Sequence, residues 1–488
     1  MAIAVRVLDN YIGGTWAPSS SDDALDVTNP ATGEVIARVP LSSHADLDAA
    51  VAAARAALPA WRSVSVIERA RKLFVLRAEL DARREDLARS VTTEMGKTIG
   101  DARAEVGRMI EMVEAACAIP TTMQGRILED VSRNVDAETI RQPVGVCAAI
   151  VPFNFPAMVP FWFLPFAIAC GNTFILKPSE QVPLTQQIAF EVLDGIGLPP
   201  GVVNLVNGGR EVVEGILEHP DIDAVSFVGS APVARIVYER AAATGKRVQA
   251  LGGAKNHMVV MPDAVIAETV KGIVGSAFGA AGQRCMAGSV VVTVGDAHDK
   301  LVPPLVEATR ALHVGDGLDE GTDVGPVISP AASERVRSWI DRSQRVLVDG
   351  RDVEGDSFVG PSIVEVDAGD PLIGEEVFGP LLALVRAESL DAAIELVNSS
   401  RFGNGTSIFT ESGAAVRKYK HDVEAGMVGV NIGVAAPVAF FPFSGWKDSF
   451  LGDLHAHGPD AVDFYTRKKT ITSRYYSEQS SGRYFVES

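Results

Sequence analysis

Cysteine is scarce in this sequence, and its spacing does not suit a metal or a disulfide framework. The 488 residues include four cysteines, and no two of them form a CxxC pair. Disulfide-stabilised scaffolds and structural zinc sites need more cysteines at short spacing. The scarcity excludes both classes and favours a reducing compartment. We expect the cytoplasm, or the mitochondrial matrix if a presequence was removed.

Positive charge is also in short supply. Lysine and arginine number 44 against 62 acidic residues, which gives a net charge of −18. Such a chain repels polyanions, so we expect no nucleic-acid partner. The one dense basic cluster, "TRKKT" from Thr466 to Thr470, is typical of a solvated strand face.

The sequence lacks an uninterrupted apolar run of membrane-spanning length. Residues 142–176 carry no charge, but five prolines interrupt them: Pro143, Pro152, Pro156, Pro160 and Pro165. A spanning helix needs about 20 apolar residues with few breaks. The segment therefore predicts buried strand, loop and helix, with no membrane partner.

Several familiar motifs are absent or incomplete, including GxGxxG, HExxH and GxSxG. The stretch "EMGKT" ends like a phosphate-binding loop, but Val91 stands where that loop requires its first glycine. His455 and His457, in "DLHAHG", have no further ligands at suitable spacing. We predict structural roles for both histidines and no metal site.

The arrangement of apolar segments predicts an α/β protein of two or three domains. Alanine-rich helical stretches fill the first third, among them one after Ser43 as N-cap and one from Val66 to Gly96. Beyond Arg141, short apolar strands alternate with helices, which indicates parallel sheets. A second alternating set follows residue 250. The tail from Tyr465 is β-forming and needs a partner edge, such as one on another subunit.

Two strand ends resemble parts of a nucleotide site. "FILKPSEQ" places Lys177 and Glu180 at the carboxyl end of a strand, where open α/β sheets bind ligands. The lysine suits a ribose or phosphate, and the carboxylate suits a ribose diol while repelling a 2′-phosphate, which favours NAD. "SFVGS" ends at Ser230 and opens a helix whose amides suit a pyrophosphate. An exposed turn without a ligand is the alternative.

The run "AFGAAGQRCMAG" makes Cys285 a candidate nucleophile. Its glycines let backbone approach closely, and Arg284 directly precedes it. A cation beside a thiol lowers the pKa and raises the fraction of thiolate. The alternative is a packing cysteine, as we expect for Cys117, Cys147 and Cys170.

Together these stretches resemble the aldehyde dehydrogenase superfamily over almost the whole chain. The motifs are "FNFP", "KPSE", "FVGS", "LGGAKNH", "GQRC" and "EEVFGP". "GAKNHMVVMPDA", "GQRCMA" and "FPFSGWKDSFLGDLHAHGPDAVDFYTRKK" are similar to its CoA-acylating branch, which oxidises malonate or methylmalonate semialdehyde with NAD.

The resemblance implies an aldehyde dehydrogenase-like α/β fold with three parts. A Rossmann-type NAD-binding domain would comprise residues 1–121 and 142–250. A second α/β catalytic domain carrying the cysteine would comprise 251–447. Residues 122–141 and 465–488 would form a small β oligomerisation element, in a homodimer or homotetramer.

The resemblance also implies roles for individual residues. Cys285 would be the nucleophile, and Asn154 would form the oxyanion hole with the Cys285 backbone N–H. The remaining positions would bind the cofactor: Val151, Phe153, Lys177, Glu180, Gln181, Ser230, Gly252 and Glu376.

One departure from the family pattern bears on the acyl acceptor. Hydrolytic members carry a glutamate directly before "LGG", and Ala250 stands there in this chain. Water with a pKa near 15.7 needs a base, whereas a thiol with a pKa of about 8.5 is partly ionised unaided. We expect coenzyme A as co-substrate, with propionyl-CoA or acetyl-CoA as product. A hydrolytic enzyme releasing a free acid is the alternative, and a non-catalytic protein on the same scaffold is a second.

Two arginines are candidates for holding the carboxylate of a semialdehyde. Arg284 adjoins the nucleophile, and Arg108 matches a family arginine on the helix lining the substrate entrance. A guanidinium fork suits a carboxylate. The alternative for both is a surface ion pair.

Overall fold

The structure is a computed structural model that describes residues 5–476. Strands and helices alternate along most of it. The strands up to the middle of the chain are β1 (Asn10–Ile12), β2 (Thr15–Ala17), β3 (Ala24–Thr28), β4 (Val35–Pro40), β5 (Arg126–Ser132), β6 (Val135–Pro143), β7 (Val146–Ile150), β8 (Thr173–Lys177), β9 (Val203–Leu205), β10 (Ala224–Val228) and β11 (Arg247–Leu251). The later strands are β12 (Asn256–Val260), β13 (Gly288–Val294), β14 (Val346–Val348), β15 (Ser362–Glu365), β16 (Leu381–Ala387), β17 (Phe402–Gly403), β18 (Gly405–Phe409), β19 (Met427–Val430), β20 (Trp446–Lys447), β21 (Phe450–Leu451) and β22 (Thr466–Arg474).

The helices cover both faces of the sheets. The first eight are α1 (His44–Ser63), α2 (Val66–Ala82), α3 (Arg84–Met95), α4 (Ile99–Cys117), α5 (Ile119–Thr122), α6 (Met158–Phe161), α7 (Leu164–Ala169) and α8 (Leu184–Gly195). The others are α9 (Arg210–Glu218), α10 (Ala231–Ala243), α11 (Ile266–Phe278), α12 (Ala297–Arg310), α13 (Pro330–Arg342), α14 (Leu390–Ser399), α15 (Gly413–Asp422) and α16 (Gly458–Phe464).

Two large sheets organise the chain. The first has the order β2-β1-β9-β8-β7-β10-β11-β21, with a parallel centre from β9 to β11 and antiparallel strands at both edges. The second has the order β14-β15-β16-β13-β12-β18-β19 and is parallel apart from β14. Their strand order changes direction in the interior, which is where open α/β sheets bind ligands. The predicted α/β class is confirmed.

The β-forming tail pairs within its own chain. β22 runs antiparallel to β6 over its full length, from Thr466 opposite Pro143 to Arg474 opposite Val135. The expectation of an edge on another subunit is therefore wrong for this pairing, because β6 supplies the hydrogen-bonding groups. β5 completes a three-stranded sheet. Residues 477–488 of the predicted oligomerisation segment lie outside the described residues, and its role stays a prediction.

The helical first third follows the sequence except at one break. Ser43 caps α1 in a capping box with Asp46, as predicted. The single helix predicted from Val66 to Gly96 is wrong: it divides into α2 and α3 at Arg83, whose φ of −101° and ψ of 15° leave the helical region. Gly96 ends α3 in the left-handed conformation, with a φ of 93°.

The charge-free segment is buried core. It forms β7, the short helices α6 and α7, and β8, whose five residues are all buried. Within residues 5–476, every helix is too short or too polar to cross a bilayer. The absence of charge thus reflects burial between the first sheet and its covering helices.

The central strand β8 should make a large contribution to stability. Replacing its fully buried Phe174 with Ala creates a cavity and should cost about 3–5 kcal/mol, seen as a lower thermal unfolding midpoint. The matched control Phe74→Ala removes the same ring from a position on α2 that is 60% exposed, and should cost within about 0.5 kcal/mol. Equal losses in the two variants would contradict the assignment of this core.

Candidate active site

Two cavities meet at Cys285. The larger, of about 450 Å³, lies at the carboxyl ends of the first sheet's strands and is lined by Phe153, Asn154, Gln181, Ser230, Gly252 and Glu376, among others. The smaller, of about 200 Å³, is lined by Arg108, Arg284, Trp162 and His457, among others. Cys285 belongs to both linings. Its sulfur can thus face molecules that enter from two directions.

The loop that carries Cys285 is tightly bent and firmly anchored. A short 3-10 turn, Gly279–Gly282, contains Ala280 and Ala281 with φ values of 50° and 52°, a conformation that costs an L-residue free energy. The Cys285 carbonyl accepts hydrogen bonds from the side-chain amides of Asn256 and Asn404, each at 2.9 Å. Two amides from neighbouring strands of the second sheet therefore hold the nucleophile in place.

The expectation that the pKa of Cys285 lies below its ordinary value is wrong. Burial raises the pKa of this thiol to about 12, and the Glu376 carboxylate adds to the increase. The Arg284 guanidinium acts in the lowering direction, as expected, but does not offset burial. Its Nη2 donates to Asp101 Oδ1 at 2.6 Å, and its Nη1 donates to the Gly275 carbonyl. Adjacency in sequence did not set the direction of this side chain.

Exposure, rather than acidity, separates Cys285 from the other cysteines. Cys117, Cys147 and Cys170 are buried, as predicted for packing residues, whereas Cys285 is partly exposed to the two cavities. Burial raises the pKa of Cys117 and Cys170 as well, to about 11 and about 12. Among the four thiols, Cys285 is thus the one that a substrate can reach.

Asn154 lies beside the nucleophile in the loop that follows β7. Its side chain is buried, and its Nδ2 donates one hydrogen bond to the Gln283 carbonyl at 3.0 Å. An amide nitrogen carries two hydrogens, so the second can serve an oxygen in the cavity. The Gln283 side chain is itself held, since its Oε1 accepts from the Ile328 N–H at 3.0 Å.

Lys177 and Glu180 form an ion pair at the carboxyl end of β8, with 2.9 Å between Nζ and Oε2. Burial raises the pKa of Glu180, but the charge of Lys177 and the hydrogen bonds from Lys177 and a backbone N–H together outweigh that effect and hold the pKa below its ordinary value. The carboxylate is ionised at neutral pH and can accept hydrogen bonds from a diol. Val151 is buried nearby, where its N–H donates to the Lys177 carbonyl at 3.2 Å.

The far wall of the larger cavity is made of backbone and one carboxylate. A Cβ at Gly252 would lie 2.6 Å from the Asp448 carbonyl, and one at Gly253 would overlap the Glu376 carboxylate. Glu376 accepts a hydrogen bond from the Ala254 N–H at 3.0 Å, and burial raises its pKa to about 7. Ser230 is the N-cap residue of α10 and makes no side-chain cap bond. It lines the cavity, so its hydroxyl can bond a molecule there.

These residues fit a dinucleotide. Glycines leave room along the wall of the cavity, and Glu376 is in its lining. A second carboxylate suited to ribose hydroxyls, Glu180, pairs with Lys177 at the end of β8. The start of α10 directs backbone N–H groups toward the region between them. The arrangement matches the order adenosine ribose, pyrophosphate and nicotinamide ribose, ending at Cys285.

The two candidate arginines line the smaller cavity, and each already has an acidic partner. Arg108 Nη1 lies 2.6 Å from Glu111 Oε2, and its side chain is 36% exposed. Arg284 is 18% exposed and is held by Asp101. The structure therefore places both near the sulfur, and their action on a substrate carboxylate stays a prediction.

Several residues at the site were not predicted from the sequence. Asn256 and Asn404 anchor the nucleophile, and Lys97 and Glu105 form a fully buried ion pair behind Asn154. "EMGKT", the failed phosphate-loop match, was the one available signal, since it contains Lys97.

The histidine His457 also lines the smaller cavity. It is neutral at pH 7 because burial lowers its pKa to about 4. Its Nδ1 and the Phe441 carbonyl lie 2.7 Å apart, so Nδ1–H donates there. No group of three metal-ligating side chains occurs in the part of the chain that the structure describes.

Sequence comparison defines the class of protein. The aldehyde dehydrogenase family model matches residues 16–471, so the chain belongs to the aldehyde dehydrogenase family. Among its relatives, malonate-semialdehyde dehydrogenase 3 of Geobacillus kaustophilus (strain HTA426) is 53% identical over 479 residues, covering 96% of this chain and 99% of the relative. Malonate-semialdehyde dehydrogenase 2 of Geobacillus thermodenitrificans (strain NG80-2) is also 53% identical with the same coverage.

Solved structures give the same grouping. A protein described as a methylmalonate-semialdehyde dehydrogenase from Sinorhizobium meliloti 1021, solved in complex with NAD, has a TM-score of 0.96 and 42% identity, covering 98% of this chain and 99% of its own. Methylmalonate-semialdehyde dehydrogenase from Oceanimonas doudoroffii has a TM-score of 0.95 and 42% identity, covering 97% and 99%.

The electrostatics of the site predict a faster-reacting thiol when Glu376 is neutralised. Glu376→Gln removes a negative charge that raises the pKa of Cys285, so more thiolate forms at pH 8. The rate of Cys285 alkylation by iodoacetamide should rise, by up to about tenfold for each unit by which the pKa falls. Peptide mass spectrometry measures the rate.

The neighbouring Glu375 supplies a matched control. It is exposed, and Glu375→Gln should leave the alkylation rate unchanged. An unchanged or lower rate in Glu376→Gln would contradict the electrostatic account of this thiol.

Proposed function

We propose that this chain is an NAD-dependent, CoA-acylating malonate- or methylmalonate-semialdehyde dehydrogenase that produces acetyl-CoA or propionyl-CoA. The observation that carries the proposal is the position of Cys285, which joins a dinucleotide-shaped cavity to a smaller cavity lined by two arginines. Relatives of about 50% identity carry malonate semialdehyde in their names. The NAD in the Sinorhizobium meliloti neighbour supports the cofactor.

Cys285 and Asn154 perform the first step. The Cys285 thiol first loses its proton to solvent. The thiolate then attacks the aldehyde carbon, a C–S bond forms, and the C=O π electrons move to the oxygen, which becomes an oxyanion. The free N–H of Asn154 Nδ2 and the Cys285 backbone N–H stabilise this oxygen, by roughly 3–4 kcal/mol for each well-placed donor. NAD, when bound, supplies the hydride acceptor, and loss of hydride from the carbon leaves a thioester on Cys285.

Arg108 and Arg284 would hold the substrate carboxylate within the smaller cavity. A guanidinium can bind both carboxylate oxygens, and partial burial strengthens the contact. In a thioester with a β-carboxylate, the C–C bond to the carboxylate breaks, carbon dioxide leaves, and the electron pair passes to the α-carbon, which then takes a proton. An acetyl or propionyl thioester remains on Cys285.

The proposed acyl acceptor rests on the position where hydrolytic members of the family carry their glutamate base. Ala250 lies buried in β11, among residues that pack against the first sheet, and supplies no carboxylate. Glu105 and Asp101 line the smaller cavity, but both are committed to protein hydrogen bonds. A thiol ionises far more readily than water, so coenzyme A attacks the thioester carbon and the Cys285 thiolate leaves.

Coenzyme A dependence tests this function directly. NADH formation from malonate semialdehyde or its methyl homologue should continue only with coenzyme A, and without it should stop after one equivalent per active site. Mass spectrometry should identify acetyl-CoA or propionyl-CoA. Sustained turnover without coenzyme A, with a free acid as product, would establish the hydrolytic alternative instead.

The carboxylate contact can be tested through Arg108. Arg108→Leu should raise the KM for malonate semialdehyde by about tenfold to a hundredfold, as expected for loss of a charged contact of about 1.5–3 kcal/mol. The same variant should oxidise propanal nearly as the parent does, because propanal has no carboxylate. Steady-state kinetics with the two aldehydes measure both effects.

Two further arginines refine this test. Arg103→Leu, on the same helix but paired with the exposed Glu85 and Glu320, is the matched control and should change neither aldehyde. Arg284→Leu should slow both aldehydes, because Arg284 also holds the loop of Cys285 to Asp101. Equal losses for Arg108→Leu with both aldehydes would refute carboxylate recognition by this residue.

The remaining assignments are proposals of the same kind. Phe153, Gln181, Ser230, Gly252 and Glu376 line the larger cavity, which supports their assignment to the cofactor, whereas that of Val151, Lys177 and Glu180 rests on the family resemblance. The two large sheets and the three-stranded sheet support the domain roles. The family resemblance supports a homodimer or homotetramer, and the bacterial relatives support the cytoplasm.

A further inference from the structure

The first turns of α4 reach both sides of the reaction centre. Asp101 and Glu105 are four residues apart on this helix, so their side chains lie on one face. Lys97 precedes the helix by two residues. We call these three side chains the α4 bracket, because two of them bind the Asn154 loop and the third binds the Cys285 loop.

On one side, the bracket holds the loop of Asn154. Lys97 Nζ donates to Glu105 Oε2 at 2.6 Å and to the Asn154 carbonyl at 2.8 Å, and it lies 3.9 Å from the centre of the Phe155 ring. The other oxygen of Glu105 accepts from the Ala157 and Met158 N–H groups, at 2.8 and 3.1 Å. Three hydrogen bonds to the backbone, at residues 154, 157 and 158, and one contact with the ring of Phe155 thus hold this loop.

On the other side, the bracket holds the loop of Cys285. Asp101 Oδ2 accepts from the Ala280 N–H at 2.8 Å, and Oδ1 accepts from Arg284 at 2.6 Å. Ala280 is one of the two residues in the left-handed conformation. The carboxylate therefore stabilises a bend that the chain would not otherwise favour.

Stability alone does not explain the buried ion pair. The side chains of Lys97 and Glu105 are both 0% exposed, and taking two charges out of water costs about as much as their attraction returns. Apolar side chains of similar size commonly serve as well in a core. The feature that an apolar pair could not reproduce is the directed set of bonds to the backbone around Asn154.

The position of Lys97 is itself closely constrained. Its backbone lies against Gly317 and Gly325, where any Cβ would overlap the carbonyl oxygens of Lys97 and Gly96. The Ile99 N–H donates to the Gly317 carbonyl at 2.7 Å. The start of α4 is therefore fastened to the chain segment that follows α12, and Lys97 cannot follow the Asn154 loop if that loop moves.

We propose that the α4 bracket positions two groups for the reaction: it keeps the side-chain amide of Asn154 at a fixed distance from the Cys285 sulfur. This inference rests on the proposed roles of Cys285 and Asn154. The 3.0 Å bond from Asn154 Nδ2 to the Gln283 carbonyl spans the two loops that the bracket holds. Without the bracket, the loops are joined at the site by that bond, and the oxyanion donor loses its fixed distance from the nucleophile.

The test is a double-mutant cycle on the first turnover. The charge-free variant Lys97→Met/Glu105→Gln is compared with the parent, and the same pair of substitutions is introduced into Asn154→Ala. The measured quantity is the rate of the first burst of NADH at saturating NAD and aldehyde. In the parent background, we expect a loss of about tenfold to a hundredfold, the size associated with misplacing a catalytic group by about 1 Å.

The Asn154→Ala background decides between positioning and general damage. If the bracket acts through the Asn154 amide, the pair of substitutions should slow this background by less than about twofold, because coupled residues give non-additive effects. If the same factor is lost in both backgrounds, the bracket proposal is overturned while the proposed function stands. If Asn154→Ala does not slow the burst, the oxyanion role falls and the bracket proposal falls with it.

A matched control separates these effects from the loss of any buried carboxylate. Glu94 is also fully buried and accepts from two backbone N–H groups, those of Leu184 and Thr185, at 2.6 and 3.0 Å. Glu94→Gln should lower the thermal midpoint without slowing the burst at saturating NAD. A burst slowed as much as in the bracket variant would overturn the proposal.

A milder variant keeps the test decisive if the double substitution does not fold. Glu105→Gln alone retains an oxygen for the Ala157 and Met158 N–H groups and removes the charge that faces Lys97. It should slow the burst in the parent and leave the Asn154→Ala rate unchanged. A parent-like burst rate in a folded Glu105→Gln variant would overturn the role of the ion pair.

Discussion

The structure depends on one constraint: a single sulfur must lie where two cavities meet, and the groups that surround it come from two different sheets. Asn256 and Asn404, at the strands of the second sheet, hold the Cys285 carbonyl from one side. Asn154, in the loop after a strand of the first sheet, approaches from the other side. The donor Asn154 and the nucleophile Cys285 lie next to strands of different sheets, so the distance between them depends on how the two sheets pack. Buried polar contacts fix that distance.

Burial governs the chemistry of the groups around this point. It raises the pKa of the Cys285 thiol and of the Glu376 carboxyl, and it lowers the pKa of His457. Two ion pairs lie at the same point: Lys97 with Glu105 and Arg284 with Asp101, each at 2.6 Å. The charged side chains at this site therefore hold the Asn154 and Cys285 loops in position.

Prediction from sequence succeeded where the result depends on residue chemistry and local motifs. The α/β class and the family, which the motifs implied, are confirmed. The roles of Cys285, Asn154, Gln181, Ser230, Gly252 and Glu376 stay predictions, which their shared position around one cavity supports. Prediction failed where the result depended on the direction of a side chain, the end of a helix or the pairing partner of a strand. Arg284 adjoins Cys285 in the chain but turns toward Asp101, the Val66–Gly96 helix breaks at Arg83, and β22 finds its edge in β6. Contacts between residues far apart in sequence decided each case.

The sequence by itself determined the α/β class and the family, and it pointed to Cys285 as the candidate nucleophile and to Ala250 at the position of the usual base, because these follow from residue type and motif. Only the tertiary structure decided the pKa of Cys285, the partners of the two arginines and the bracket behind Asn154. The reason is physical: a pKa depends on burial and on charges from any part of the chain. Similarly, a hydrogen bond such as that of Lys97 to the Asn154 carbonyl joins residues 57 positions apart, which no local pattern encodes.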